Sequence, residues 1–138
     1  MSQEAQGEAE ARKCWEEYLK IMDHVQKLAA AAGGASSVDA YNDCTMAIIE
    51  ASSNAGYCAE RLEALGYDVL FDALPLVVGG AALRFSLVRK SDGVVIDSRS
   101  LPLRAAGLSA AEEAALASLL QSLAMLSGAR PRLPPLRR

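Results

Sequence analysis

The stretch Tyr41-Asn42-Asp43-Cys44-Thr45-Met46-Ala47-Ile48-Ile49-Glu50-Ala51-Ser52-Ser53-Asn54-Ala55-Gly56-Tyr57-Cys58-Ala59-Glu60-Arg61-Leu62 decides the fold. Tyr41, Cys44, Ile48, Ala51, Ala55, Cys58, Leu62 and then Leu65 recur at steps of three and four. That spacing keeps one narrow seam of a helix facing a partner helix. Locally, Ser52-Ser53-Asn54-Ala55-Gly56 reads as a loop, because these residues are poor helix formers. The apolar steps nonetheless cross it without a change of phase. The spacing therefore predicts a single helix to Leu65, stopped by Gly66.

Upstream, Ala11, Trp15, Tyr18, Met22, Val25 and Ala29 form a second stripe of the same kind, and Gly33-Gly34 separates the two. The pair predicts a long antiparallel helical hairpin over residues 11–65. Its first helix begins within residues 4–10, where glutamates suit a positive helix N-terminus. Glu16 with Lys20, and Asp23 with Lys27, have the favourable i,i+4 orientation on its polar side. Ser36-x-x-Asp39 has the form of a capping box for the second helix. In such a hairpin Trp15 falls opposite Ala51, Ala55 and Gly56, small partners that leave room for an indole.

After Gly66 the period changes. Tyr67–Asp72 and Leu74–Val78 are β-type runs divided by Pro75, and Gly79-Gly80 is a turn. Leu83, Phe85 and Leu87 alternate with Arg84, Ser86 and Val88, as in a half-buried strand. Lys90-Ser91-Asp92-Gly93 is a tight-turn sequence, and residues 94–101 return as the partner strand. Ser109-Ala110-Ala111-Glu112 is a capping box that opens a closing helix over residues 109–127. That helix carries Leu116, Leu119, Leu120, Leu123 and Leu126, and Gly128 ends it. From Ala129 the chain holds three prolines and four arginines, the composition of a disordered, extended tail.

The expected architecture is α+β: an antiparallel two-helix hairpin, a small antiparallel sheet of three or four strands over residues 66–104, and a C-terminal helix. With 138 residues, one domain over residues 1–128 has enough chain to bury a core. No apolar run approaches the ~18 residues of a membrane span, and the start of the chain lacks the charge and apolar pattern of a signal peptide. An odd number of cysteines, three, suits a reducing compartment, cytoplasmic or nuclear. Cys44 and Cys58 lie too far apart on one helix to pair, whereas Cys14 falls near the level of Cys58.

Function has fewer markers. The lone histidine, His24, falls between Asp23 and Lys27 on the polar face of the first helix, away from any nucleophile. Adjacent glutamates at 16–17 and 112–113 sit in capped or solvent-facing helix positions and do not form an acid/base pair. Scattered cysteines without a CxxC supply no metal site. Gly79-Gly80 lacks the Lys-Ser/Thr and following helix of a phosphate loop. The reading is non-enzymatic, with no cofactor and no metal.

Two interaction surfaces remain. Cys14, Ile21 and Leu28 form a flanking line at spacing seven on the first helix, and Ala40, Met46 and Ala47 do something similar on the second. Such lines either cover the sheet or dock a protein partner or a second copy of the chain. The other candidate is basic. Residues 1–65 hold five basic and eleven acidic side chains, and residues 66–138 hold nine basic and six acidic ones. With a hairpin tip at residues 92–93, Arg84, Arg99 and Asp97 share one face with Ser86, and Arg89 and Lys90 lie near its edge. That face could contact nucleic acid, although no aromatic residues are interleaved for base stacking.

In element order, the segment from Gly66 to Gly128, with its Asp92-Gly93 turn and Leu101-Pro102-Leu103 exit, resembles the core of phage single-strand annealing proteins. That resemblance implies nucleic-acid annealing, but the basic, tyrosine-rich closing helix of such proteins is absent here. The stretch Leu83 to Leu126 is also similar in pattern to the second half of acidic type III secretion chaperones, which lack the long hairpin. Finally, Arg130-Pro131-Arg132-Leu133-Pro134-Pro135-Leu136-Arg137 resembles a polyproline ligand in composition. The leading expectation is an adaptor or subunit of an assembly that binds protein through its helical surface.

Overall fold

The computed structural model describes residues 3–75, 81–102 and 109–132. The first two elements are the expected hairpin, α1 (Gln3–Gly33) and α2 (Val38–Ala64). Helix α2 runs unbroken through Ser52–Gly56. Burying Ile48, Ala51, Ala55, Ala59 and Leu62 along one side outweighs the poor local propensity. Its N-cap is Ser37, not Ser36: the Ser37 hydroxyl accepts the Ala40 N–H at 3.1 Å, one residue later than the sequence pattern suggests. Gly66, at φ 95°, ends the hairpin in the left-handed conformation that glycine tolerates.

Three strands follow the hairpin, β1 (Tyr67–Pro75), β2 (Ala81–Arg89) and β3 (Val95–Pro102). The closing helix α3 (Ala110–Leu126) leads to a short strand β4 (Arg130–Pro131). The sheet order is β3-β2-β1-β4. Strand β1 passes through Asp72 to Pro75 as one element, with the proline at its end where a lost donor matters least. Residues 76–80, including Gly79-Gly80, lie outside the described residues.

The sheet is mixed, a correction to the expected all-antiparallel arrangement. Its fourth strand comes from the segment assigned to a disordered tail. Arg130 and Pro131 pair in parallel with Leu70 and Phe71, and Arg132 donates its N–H to the Phe71 carbonyl at 2.7 Å. Ala129, just before, is buried. A proline can serve in so short an edge strand because its missing donor faces away from the partner. Residues 133–138 lie outside the described residues.

All three helices contribute to one hydrophobic cluster with a single face of the sheet. That face carries Val69, Phe71, Leu83, Phe85 and Leu87, while Trp15, Tyr18, Val25, Leu62 and Leu120 come from the helices. Tyr18 sits at the centre. Its ring stacks on Trp15 with centroids 6.1 Å apart and meets Phe85 edge-on at 5.7 Å. The result is two layers, with no described helix on the opposite sheet face.

Small residues on α2 serve a purpose beyond the one their spacing suggested. Ala51 and Ala55 share the core with Trp15, but Gly56 lies under the end of α3, where a Cβ would stand 4.0 Å from the Leu126 carbonyl. Gly128 is closer still: a Cβ there would come within 2.6 Å of the Ala59 Cβ. Close approach of α3 to α2 therefore depends on Gly56, Ala59 and Gly128.

Candidate functional site

The basic face is dispersed by one residue of register. Arg89 and Val94 close the β2–β3 turn, with the Arg89 N–H bonded to the Val94 carbonyl at 2.9 Å. Val88 then pairs with Val95, but Leu87 pairs with Asp97, so a bulge leaves Ile96 as the extra residue. Beyond it the pairs are Phe85 with Arg99 and Ser86 with Ser98. A one-residue slip sends every later side chain of β3 to the other face. Asp97 and Arg99 thus lie on the helix side, opposite Leu87 and Phe85, while Arg84 and Ser86 lie on the open side. This corrects the expectation that Arg84, Arg99 and Asp97 share a face with Ser86.

Each of the four basic residues also has a carboxylate beside it. Arg84 forms two hydrogen bonds with Asp72, at 3.0 and 2.6 Å, across the β1–β2 pair. Those bonds, then the charge of Asp72, raise the Arg84 pKa above its usual value. Arg89 holds Asp92 at 2.8 Å in the turn, and this hydrogen bonding depresses the Asp92 carboxyl pKa. Lys90 reaches Glu63 at 3.3 Å and Asp68 at 3.7 Å. Arg99 meets Glu16 at 2.8 Å and its own neighbour Asp97 at 3.6 Å. Glu16, expected to pair with Lys20, is drawn to Arg99 instead. A polar depression of about 850 Å³ beside the turn is lined by Glu8, Tyr67, Arg89, Lys90 and Asp92. Its cations face carboxylates already.

The apolar candidates divide differently. Cys14, Ile21 and Leu28 pack half-buried against the core cluster. Cys14 lies close enough to Cys58 that, after burial, its charge helps push the Cys58 thiol pKa up. Cys14, Cys44 and Cys58 are free thiols. Met46, in contrast, is 68% exposed on the outer side of α2. The structure does not bring Met46 into a common surface with the α1 line.

Met46 instead belongs with residues that sequence periodicity did not single out. Among the described residues, the exposed large apolar side chains are concentrated on two helices. Helix α2 contributes Val38, Tyr41, Met46, Ile49 and Tyr57, and α3 contributes Leu119, Met125 and Leu126. Outside the helices, only Val94 and Val95 belong to this set. Of the leucines that α3 carries, Leu119 and Leu126 are exposed. The buried side of α3 is instead Leu120, Leu123 and Ala124, because the helix touches α1, α2 and the sheet along one narrow line.

Helices α2 and α3 meet at Gly56, Ala59 and Gly128 and part towards their N-termini. Between them, and closed by the last turn of α1, lies an apolar cleft of about 890 Å³. Tyr41, Thr45, Ile48 and Ile49 form one wall, Leu116, Leu119 and Leu123 the other, and Ala29–Gly34 the end. The capping box holds the α3 wall in place. Ser109 accepts the Glu112 N–H and the Glu112 carboxylate accepts the Ser109 N–H, both at 3.2 Å. Of the residues that line it, Glu112 alone is charged.

Chemically this cleft offers apolar area rather than reactive groups. No group of three or more His, Cys, Asp or Glu among the described residues is placed to hold a metal ion. No described helix is long and apolar enough to cross a membrane. Fold and cleft together define a two-layer α+β protein with an apolar interhelical surface. Comparison with protein-family models, with curated proteins and with solved structures finds no match.

Proposed function

We propose that the chain is a non-enzymatic adaptor or subunit of a larger assembly, and that it binds a protein partner through the α2–α3 surface. The observation that carries this reading is the apolar cleft between α2 and α3, walled by exposed Tyr41 and Ile49 on one side and exposed Leu119 on the other. Large apolar side chains exposed along a cleft mark interaction surfaces more often than scattered ones do. Its apolar lining favours a partner segment that presents an apolar face. Three free thiols fit a reducing compartment, cytoplasmic or nuclear.

The test is purification of the tagged protein from its native cell at moderate salt, with nuclease treatment and mass spectrometry of what co-elutes. The reading expects a stoichiometric protein that survives nuclease and is lost on Ile49→Glu. Recovery of the chain alone, or retention of the partner by folded Ile49→Glu, overturns it. Material that nuclease removes would move the reading to nucleic acid.

A further inference from the structure

We infer that two copies of this chain associate edge to edge through β3, joining their sheets into one of eight strands. This uses a surface separate from the α2–α3 cleft and does not depend on the partner proposed there.

The argument begins with the sheet edges. One edge is shortened by β4 and by the Arg132 N–H bonded to Phe71. The other is β3, eight residues long, and among the described residues it pairs with β2 alone. An open edge presents a row of unpaired backbone donors and acceptors, which proteins usually blunt with lysine, proline or a bulge. Strand β3 contains no lysine, its proline is its last residue, Pro102, and the bulge lies at its start. Asp97 and Arg99 do point to the helix side, and inward charges can also protect an edge. Here, however, their arrangement is self-complementary.

A two-fold axis perpendicular to the sheet keeps both helix layers on one side, so each residue must oppose one of like parity. With the axis at Ser98, Asp97 stands opposite Arg99 of the second copy, and Arg99 opposite its Asp97. The bulge turns Val95 to the open face and Ile96 to the helix side, so the like-facing ladder between the copies runs from Asp97 to Arg99. Opposite charges directly across a strand pair are favourable, and like charges are not. Moving the axis to Asp97 or to Arg99 sets two like charges against each other. The sequence therefore favours the Ser98 register over both neighbours, through attraction in one and repulsion in the others. Ser98 itself is exposed on the open sheet face, next to Ser86, whose hydroxyl lies 2.9 Å from its own.

That placement gives a test in which each protein retains its fold. Sedimentation equilibrium of the full chain should show a mass rising from 14.6 kDa towards twice that value with concentration. Ser98→Lys or Ser98→Glu should each weaken self-association about tenfold or more, because two like charges meet at the axis. An equimolar mixture of the two variants should recover it as a heterodimer. Circular dichroism checks folding. Hydrogen exchange on the unsubstituted chain reports the same contact without a variant, as protection of residues 97–99 that grows with concentration. A chain that stays monomeric overturns the proposal. So does a dimer that is indifferent to both substitutions or shows no protection of β3.

Discussion

The indole N–H of Trp15 donates to the Asp97 carboxylate at 2.8 Å, linking the middle of α1 to the edge strand β3 across 82 positions of sequence. Trp15 is 2% exposed, so the donor has left water and needs an acceptor. Arg99 reinforces the link from the same strand by reaching Glu16. The hairpin and the sheet are thus joined by polar contacts at the margin of the core as well as by apolar packing within it.

Trp15→Phe keeps much of the packing and removes the donor. A hydrogen bond to a charged group is worth about 1.5–3 kcal/mol, and that is the expected loss in urea unfolding. Trp15→Ala should cost about 3–5 kcal/mol, because it also leaves a cavity beside Tyr18. Equal losses for the two variants would mean that the hydrogen bond, rather than the ring, supplies the stability.

Tyr18 makes the opposite case. Its hydroxyl is buried and has no hydrogen-bond partner among the described residues. Tyr18→Phe should therefore raise stability by about 1 kcal/mol in chemical denaturation, by removing an unsatisfied polar group. The variant should also change the alkaline limb. Burial, and then the charge of Cys58, push the Tyr18 pKa above its ordinary value of 10.0. The native state thus holds the neutral phenol while the unfolded chain ionises. Stability from this group is fully present below pH 10.0 and declines as pH rises towards the folded pKa. Tyr18→Phe should show a shallower loss above pH 10.0 than the parent chain.

Gly128 combines two constraints at the end of α3. Its φ of 89° is a conformation that side-chain-bearing residues avoid, and its missing Cβ leaves space for Ala59. Gly128→Ala should destabilise the protein by about 2–4 kcal/mol, the sum of backbone strain and overpacking. The double variant Gly128→Ala with Ala59→Gly relieves the contact but not the strain, so thermal unfolding should show partial recovery. Full recovery would mean that the left-handed backbone costs nothing here.

These relationships differ in how far the sequence displays them. The hairpin was legible because Trp15 to Ala29 and Ile48 to Leu62 repeat over several turns, and a long period survives local irregularity such as Ser52–Gly56. Ser109 and Glu112 were legible because a capping box is a contact between residues three apart. The bulge at Ile96 was not, since nothing in Val95-Ile96-Asp97 distinguishes an extra residue from a paired one. That single residue decides where Arg99 points, and with it whether a basic face exists. Strand β4 was hidden for a related reason. Two residues of Arg-Pro acquire strand geometry only because Ala129 is buried and Phe71 offers a carbonyl. The cleft was hidden in a third way. Leu116 to Leu126 show that α3 is apolar, but which leucines remain exposed depends on the narrow line along which α3 meets its neighbours.

The last prediction separates the two apolar surfaces. Ile21 and Ile49 are the same residue type on adjacent helices, yet Ile21 packs against the core while Ile49 is 58% exposed beside the cleft. Ile21→Glu places a carboxylate against apolar neighbours and should cost about 2–3 kcal/mol in denaturant unfolding. Ile49→Glu should change stability by no more than about 0.5 kcal/mol, as a surface substitution. Its effect belongs to binding: a charge set into the apolar wall would lose its hydration against the segment the cleft accepts, and should weaken that contact. If Ile21→Glu proves neutral and Ile49→Glu unfolds the chain, the interaction surface lies on α1 after all, along Cys14, Ile21 and Leu28. If each behaves as its burial dictates, loss of a partner on Ile49→Glu is a loss of contact and not of fold.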